Sequence, residues 1–248
     1  MKKEREIITK TFENGVYVGE FFNDLKHGYG TYKWSNGDRY EGQWSKNQKH
    51  GRGSFYFSNG DRYEGQWCEG LMQGYGIYYY NSGNRYEGQW SKNQKHGYGT
   101  FYFSDGDRYE GNFSNNLRNG YGVSYSSEGA FYEGFRENDV VSGYGILTNR
   151  AGSRIEGNFK DDKANGFCRG FASDGKIIEG IYQNKELPLV GKIIYPNGDI
   201  YEGEVNLRKR HGQGVLFTTD GTKISGKWFE DELVDQDTLL AEESAKQE

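Results

Sequence analysis

Hydrophobic and polar residues alternate along most of this chain, and glycines interrupt the alternation at regular intervals. In the segment RYEGQW, residues 39–44, an extended backbone places Tyr40, Gly42 and Trp44 on one side and charged or amide side chains on the other. A polar stretch, SKNQKH, and a second alternating segment of the GYGTFYF type follow. Alternation with a period of two, bounded by glycine and polar residues, predicts short β-strands joined by turns.

The whole pattern returns every 23 residues without insertion or deletion. Two glycine columns keep the same period: a turn glycine such as Gly37, and a Gly-x-Gly pair such as Gly51 and Gly53. A fixed period of this length indicates a repeat architecture. The residues that begin the aromatic-acid-glycine triplet or its variants are Tyr17, Tyr40, Tyr63, Tyr86, Tyr109, Tyr132, Ile155, Ile178, Tyr201 and Ile224.

Each repeat is interpreted as a strand, a polar loop of six residues, a second strand and a tight turn. The glycine of the tight turn is expected to have a positive φ. Both connections are too short for a parallel crossover, so neighbouring strands should be antiparallel. The chain therefore predicts a continuous meander of hairpins.

The YEGQW strand, the polar loop, the GxG-led strand and the NGD-type turn, at a period of 23 residues, resemble the MORN (membrane occupation and recognition nexus) repeat family. The resemblance implies an all-β fold, an elongated, single-layer, twisted antiparallel meander of hairpin repeats (a β-solenoid). We divide the chain into an N-terminal segment with a candidate edge strand, about ten repeats, and an acidic tail, at residues 1–11, 12–228 and 229–248.

The repeats that begin at Tyr132, Ile155 and Ile178 depart most from the pattern, and Arg136 stands where Trp or Phe is expected. Departures that folding does not require can mark contacts specific to one partner. Relaxed selection would give the same appearance, so both interpretations stay open.

The side of the strands that carries the first ring of each repeat is the candidate partner-binding surface. Tyrosine and tryptophan offer large rigid rings with a polar tip, and an open aromatic groove would take a helix or an extended segment of a partner. The alternative is that the rings of a one-layer sheet bury one another along the repeat axis. Both can hold together. The residues of this aromatic face are Tyr40, Trp44, Tyr63, Trp67, Tyr86, Trp90, Tyr109 and Phe113.

The second strand of each hairpin is harder to assign to a face. A two-residue turn would place Tyr75, Tyr98 and Tyr121 on the same face as Tyr40. A three-residue bulged turn would reverse that assignment, because a shift of one residue moves every side chain to the other face.

Two polar columns invite a metal interpretation that spacing opposes. Equivalent glutamates, such as Glu41 and Glu64, should lie ~10 Å apart, which is too far to share a calcium ion. Neighbouring arginines, such as Arg39, should instead pair with them on the solvent side. The four histidines share one column that polar residues fill in the other repeats, and His50 and His96 are two repeats, ~20 Å, apart, too far for a common zinc ion. We expect no metal, no cofactor and no catalytic residue.

A basic edge along the polar loops is a candidate for contact with anionic lipid head groups, although its charges are interleaved with acids. Solvated loops are the alternative. The residues of this basic edge are Lys49, Lys95, Arg208, Lys209 and Arg210.

Composition narrows the class of protein. Residues 229–248 hold eight acids and one lysine, whereas the rest of the chain carries 30 Lys and Arg against 28 Asp and Glu. A body so close to neutral is unlike a nucleic-acid binder, which needs a dense basic stripe. Only Cys68 and Cys168 are present, and no secretory signal, lipidation motif or long apolar stretch is recognised. These features favour a soluble intracellular protein.

The tail has apolar residues at Phe229, Leu233 and Leu240, a spacing typical of a helix. A short helix could cover the exposed edge of the last strand. The alternative is an acidic tail that contacts a basic partner.

No nucleophile–base pair or phosphate-binding loop is recognised, so we expect that the protein is not an enzyme. The resemblance implies a scaffold or adaptor that binds other proteins in a cytoplasmic cytoskeletal assembly. More specifically, it implies an axonemal (radial-spoke-like) or microtubule-associated part of a cilium or flagellum, and a homodimer is left open. The alternative is a peripheral membrane organiser that binds anionic phospholipids. A module that binds choline-type ligands in aromatic cages is a third interpretation.

Overall fold

The computed structural model describes residues 7–183 and 188–236, and strands are the regular elements of both ranges. The chain divides into two compact units, Met1–Ser127 and Glu128–Glu248. Within each unit, every strand pairs in an antiparallel manner with its neighbours in the chain. The all-β antiparallel meander that the sequence predicts is therefore confirmed.

The first unit contains eleven described strands. They are β1 (Ile7–Phe12), β2 (Gly15–Phe22), β3 (Leu25–Trp34), β4 (Arg39–Ser45), β5 (Gln48–Tyr56), β6 (Arg62–Cys68), β7 (Leu71–Tyr79), β8 (Arg85–Ser91), β9 (Gln94–Tyr102), β10 (Arg108–Ser114) and β11 (Leu117–Tyr125). Strand β1 pairs with β2 and lies where the sequence predicts an edge strand.

The second unit contains ten described strands. They are β12 (Phe131–Glu137), β13 (Val140–Thr148), β14 (Arg154–Lys160), β15 (Lys163–Phe171), β16 (Ile177–Tyr182), β17 (Val190–Ile194), β18 (Ile200–Asn206), β19 (Lys209–Phe217), β20 (Lys223–Phe229) and β21 (Glu232–Gln236).

The start of the tail is a strand rather than a helix. Phe229 ends β20, and the segment that contains Leu233 pairs with β20 as β21. Strand β21 pairs with the backbone groups of β20 that the predicted helix would have covered. The remaining residues of the proposed tail, 237–248, lie outside the described residues.

One turn of each repeat is tighter than the sequence suggests. Lys46 and Asn47 have φ values of 47° and 67° and form the whole turn between β4 and β5. Two consecutive positive φ angles are typical of a type I′ hairpin, which matches the twist of the flanking strands. The predicted six-residue loop is wrong, because four of its residues extend the strands.

The other turn runs from Trp34 to Asp38, and its glycine is left-handed as predicted, with a φ of 96° at Gly37. The backbone N–H of Trp34 donates to the carbonyl oxygen of Asp38 at 2.9 Å, which closes the turn around three residues. The carboxylate of Asp38 accepts the backbone N–H of Ser58 in the next repeat at 2.8 Å. Successive turns are thus connected by side chains as well as by the sheet.

The Gly-x-Gly pair has a separate role for each glycine. Gly51 has a φ of 58° and lies in a bulge where the register between β4 and β5 shifts. Gly53 lies opposite Gly42, and a Cβ on Gly53 would come within 2.3 Å of the hydroxyl oxygen of Tyr40. The first glycine therefore permits the bulge, and the second leaves room for the tyrosine ring.

The core of the first unit is a row of rings that contact one another from repeat to repeat. Tyr40 lies 5.1 Å from Trp44 and 5.4 Å from Trp67, both nearly perpendicular to it. The indole N–H of Trp67 donates to the carbonyl oxygen of Gly53 at 3.0 Å. Edge-to-face contacts of this kind add to the stability that burial provides, so the rings themselves replace a second layer.

The second unit keeps this plan with substitutions at the departing repeats. Ile155 replaces the tyrosine, and Cys168 replaces the second glycine of Gly-x-Gly and is fully buried. Cys168 lies opposite Gly157, and its thiol donates to the carbonyl oxygen of Asn158 at 3.4 Å. Ile155 is smaller than the tyrosine it replaces, and Cys168 fills the space that a glycine would leave. Burial raises the pKa of the Cys168 thiol.

Candidate protein-binding surface

The eight residues of the aromatic face are all buried. Their exposed fractions run from 0% for Tyr40 to 4% for Trp44, and all belong to one core cluster. This is a correction to the partner-binding assignment of Tyr40, Trp44, Tyr63, Trp67, Tyr86, Trp90, Tyr109 and Phe113, because the free chain already uses these rings as its core. The packing alternative describes them.

Exposed tyrosines lie on the opposite face of the first unit. The x residues of successive Gly-x-Gly pairs are about half exposed, with 52% for Tyr75 and 53% for Tyr98. We call this set the tyrosine row: Tyr29, Arg52, Tyr75, Tyr98 and Tyr121. Arg52 occupies the second place in the row and is also exposed.

The turn geometry decides between the two face assignments that the sequence left open for these tyrosines. The turn that begins at Trp34 encloses three residues, which is the alternative that reverses the second strand. Tyr40 consequently lies opposite Tyr32 on one side and Phe55 on the other. The sequence contained a signal for this assignment. The second glycine of each Gly-x-Gly pair, such as Gly53, lies beneath a core tyrosine ring, so the x residue before it points to the other face.

Two rings of the tyrosine row, those of Tyr75 and Tyr98, are held by carboxylates. The hydroxyl of Tyr75 donates to Glu87 at 2.7 Å, and that of Tyr98 donates to Glu110 at 2.8 Å. The hydrogen bond to Glu87 is the largest cause that raises the pKa of Tyr75, to about 12. The exposed rings are therefore fixed in orientation, and the tyrosines stay protonated at neutral pH.

Amide side chains stand between the rings. The side-chain oxygen of Gln66 accepts the backbone N–H of Tyr75 at 2.9 Å, and that of Gln89 accepts the backbone N–H of Tyr98 at 3.2 Å. These N–H groups lie in the bulge and would otherwise lack a partner in the sheet. The glutamine after each YEG triplet thus supports the bulge and leaves its own N–H₂ group on the exposed face.

The charged columns of the same face are paired within the protein, as the sequence predicts. Arg39 and Glu41 lie 2.5 Å apart, and Arg62 and Glu64 lie 3.3 Å apart. The guanidinium of Arg39 also lies 4.1 Å from the ring centroid of Tyr56. Paired charges of opposite sign leave this part of the face close to neutral.

Arg52 differs from its charged neighbours, since it makes no salt bridge with the residues that the structure describes. It lines an open depression of about 400 Å³ together with Tyr29, Tyr75, Glu41 and Glu64. Both glutamates are already paired with arginines of their own strands. The depression therefore offers one unpaired positive charge between two tyrosine rings.

The second unit exposes apolar residues at equivalent positions. Phe167 and Ile181 are paired across β15 and β16, and each is 57% exposed. Tyr144 and Val190 are exposed on other strands of the same unit. The repeats that depart most from the pattern thus carry an apolar version of this surface.

The basic edge is largely engaged within the protein. The ammonium of Lys49 lies 4.0 Å from the ring centroid of Trp67, and that of Lys95 lies 4.7 Å from Phe101. Lys209 pairs with Glu230 at 3.2 Å. The other two members are also placed: Arg210 pairs with Asp231 at 3.4 Å, and Arg208 lies at the positive-φ turn before β19. Nearby carboxylates and aromatic rings therefore already contact most of the basic side chains that would bind a lipid head group.

No group of three or more His, Cys, Asp or Glu side chains placed to hold a metal ion occurs among residues 7–183 and 188–236. Over the same ranges, the search for a helix with the length and apolar character of a membrane span found none.

The fold and the surface define a class of repeat proteins in which hairpins of equal length build an antiparallel meander with one face of rings as the core. The sequence profile of the MORN repeat matches residues 17–39, 40–62, 63–85, 86–108, 109–131, 156–169 and 201–223. The chain belongs to the MORN repeat family. Membership indicates contacts with proteins or membranes. The unmatched stretches between residues 17 and 223, which are 132–155 and 170–200, fall within the departing repeats.

Comparison with other proteins gives more distant similarities. No curated protein matches the sequence significantly. The TCP domain of Drosophila melanogaster SAS-4 (dCPAP), solved with a proline-rich motif of Ana2 (dSTIL), is 11% identical, with a TM-score of 0.38 over 72% of this chain and 84% of that one. The TCP10 domain of Danio rerio CPAP, solved with a STIL peptide, is 14% identical, with a TM-score of 0.31 over 90% of this chain and 100% of that one.

Proposed function

We propose that this protein is a non-catalytic scaffold or adaptor that binds other proteins within a cytoskeletal assembly. The observation that carries the proposal is the tyrosine row. Its rings are exposed and regularly repeated, and those of Tyr75 and Tyr98 are fixed by carboxylates, whereas the rings that build the fold are buried on the other face. Exposed tyrosines with fixed rings offer a large contact area at low entropic cost.

Membership in the MORN family supports the same role, since these repeats are associated with contacts to proteins and membranes. Within that role we propose a cytoplasmic place in a cilium or flagellum, as an axonemal or microtubule-associated part. This finer placement rests on the family resemblance. The aromatic face of the first unit stabilises the fold, and the opposite face, which carries the tyrosine row, is exposed and can contact a partner.

The proposal is tested with the full chain in cells of its source. We compare affinity purification of the wild type, of the Tyr75→Ala/Tyr98→Ala double variant and of a Phe229→Ala control, because Phe229 is an exposed ring of the second unit and not a member of the row. The double variant should lose most co-purified cytoskeletal proteins and its place at the cilium in fluorescence images, while the control keeps both. Equal recovery from all three folded proteins would refute the proposal.

The alternative function, binding of anionic phospholipids, is tested by a separate measurement. Flotation with vesicles that contain anionic lipid, at low and at high salt, should show no salt-sensitive binding, because the basic edge is engaged by rings and acids. Strong flotation at low salt that is lost at high salt would favour the membrane organiser instead.

A further inference from the structure

The distance between successive members of the tyrosine row limits which backbone conformation a bound peptide can have. Its members lie on every second strand, at the same register, because Gly30, Gly53 and Gly76 each lie opposite a glycine of the next strand. Strands are ~4.8 Å apart, so successive members lie ~9.6 Å apart. A ligand that lies across the strands must present one contact at that interval.

A polyproline II segment fits this interval more closely than the other regular conformations. It rises ~3.1 Å per residue, so every third residue returns to the same side after ~9.3 Å. An α-helix returns after seven residues, or ~10.5 Å, and accumulates an offset of ~3.6 Å over four intervals. The polyproline II segment accumulates only ~1.2 Å over the same distance. Five places in the row therefore correspond to a segment of about thirteen residues.

The chemistry of the row matches such a segment. Proline rings pack on flat aromatic side chains, and the rings of Tyr75 and Tyr98 are already fixed by Glu87 and Glu110. A polyproline II backbone makes no internal hydrogen bonds, so its carbonyl groups need donors. The side-chain N–H₂ groups of Gln66 and Gln89 make no hydrogen bond with the residues that the structure describes. Gln66 lies opposite Arg52 and Gln89 lies opposite Tyr75, so both flank members of the row.

Arg52 adds a charge to the pattern. It replaces a tyrosine at one place of the row, makes no salt bridge within the described residues, and lies in the depression between Tyr29 and Tyr75. The neighbouring arginines and glutamates neutralise one another. A partner that is complementary in charge therefore carries one carboxylate at the place that meets Arg52 and apolar rings at the other places.

We propose that the tyrosine row binds a proline-rich segment of a partner in the polyproline II conformation, with prolines at every third residue and one Asp or Glu opposite Arg52. The pattern is Pro-x-x-Glu-x-x-Pro-x-x-Pro-x-x-Pro or its reverse. This inference rests on the proposed function and names the partner's chemistry.

The test uses synthetic peptides and the full chain. Two proline peptides of about thirteen residues carry a single Glu, one at the fourth place and one at the tenth, to cover both directions. A third replaces Glu with Lys, and a fourth keeps Glu in a flexible Gly-Ser chain of equal length. Fluorescence anisotropy measures binding. One Glu-proline peptide should bind at least about tenfold more tightly than the Lys and Gly-Ser peptides.

Variants locate the contact. Tyr75→Ala/Tyr98→Ala should weaken the bound peptide at least about tenfold, and Phe229→Ala should leave it unchanged. Arg52→Glu should reverse the charge preference, so that the Lys peptide binds more tightly than the Glu peptide. Circular dichroism confirms that each variant is folded. Because these side chains are exposed, the substitutions spare the core.

Three outcomes would overturn the inference: no binding of either Glu-proline peptide, equal binding of the Gly-Ser peptide, or binding that the tyrosine and Arg52 variants do not change. These results are distinct from failure of the proposed function. If the peptides fail while the Tyr75→Ala/Tyr98→Ala variant still loses its cellular partners, the surface binds protein, but not as a polyproline II segment.

Discussion

Tyr63 lies edge-on to Trp90 of the next repeat, with ring centroids 5.3 Å apart and planes at 82°. The same ring lies 5.1 Å from Trp67 of its own repeat and is fully buried. Tyr17, Tyr40 and Tyr86 likewise each join two successive aromatic residues. The regular repeats are held together along the array by these contacts as well as by strand pairing.

Truncation of this ring should be costly, and truncation of an exposed ring should not. Tyr63→Ala removes both edge-to-face contacts and leaves a cavity, so the free energy of unfolding should fall by ~3–5 kcal/mol. Tyr63→Phe keeps the ring and loses the hydrogen bond from its hydroxyl to the carbonyl oxygen of Gln66, at a cost of ~1 kcal/mol. Urea denaturation followed by tryptophan fluorescence measures both. Tyr75→Ala is the matched control, with a change within ~0.5 kcal/mol; an equal loss there would contradict the assignment of faces.

The exchange of Tyr and Gly for Ile and Cys in the second unit predicts coupling between the equivalent positions of the first. Gly53→Cys alone should destabilise by ~2–3 kcal/mol, because a Cβ would meet the Tyr40 ring. Adding Tyr40→Ile should recover part of that loss, since Ile155 and Cys168 already occupy these positions in β14 and β15. A double-mutant cycle in urea should give a coupling free energy above ~1 kcal/mol. Strict additivity would show that the two positions do not share space.

Much of the fold is readable from the sequence because its physical causes are local. A strand alternates with a period of two, a turn needs a glycine with positive φ, and a tyrosine over the sheet needs glycines beneath it. Each cause leaves one residue type in one column, as at Gly37 and Gly53. The strands and the antiparallel order therefore follow from spacing, and the family resemblance follows from the motifs that recur at that spacing.

The candidate binding surface was less readable because the face of its residues depends on the turn. One residue more in the turn between Trp34 and Asp38 reverses the face of every second strand, and composition does not reveal that residue. Tyr40 and Tyr75 are chemically alike, so their different burial was readable only from the glycines that lie beneath the Tyr40 ring. The position of Lys49 over Trp67 could not be predicted either, because the bulge at Gly51 places it there.

The two cysteines should differ in reactivity. Cys68 is exposed, whereas Cys168 is buried and burial raises the pKa of its thiol. Thiolate is the reactive form, so a disulfide reagent such as DTNB should modify one thiol of the native protein quickly and the second only on unfolding. Cys68→Ser should abolish the fast phase, and Cys168→Ser should leave it intact. A fast phase that survives in Cys68→Ser would mean that the second unit opens readily around β15.

Lys49 should make stability depend on pH. Its ammonium lies 4.0 Å from the ring centroid of Trp67, and burial lowers its pKa to about 8 from an ordinary 10.5, against the opposing effect of Asp38. Between these values the unfolded chain binds more protons than the folded one, so the free energy of unfolding should rise as pH increases from about 8. Lys49→Met, which copies Met72 of the next repeat, should reduce this rise to the part due to Lys26, whose pKa burial also lowers. Lys33→Met, at an exposed position, should keep the rise in full. Urea denaturation at several pH values below about 9.5 measures the slope before unfolded tyrosines ionise. The ring faces attract the ammonium and oppose the effect of burial, so an equal slope in wild type and Lys49→Met would show that this attraction cancels the cost of burial.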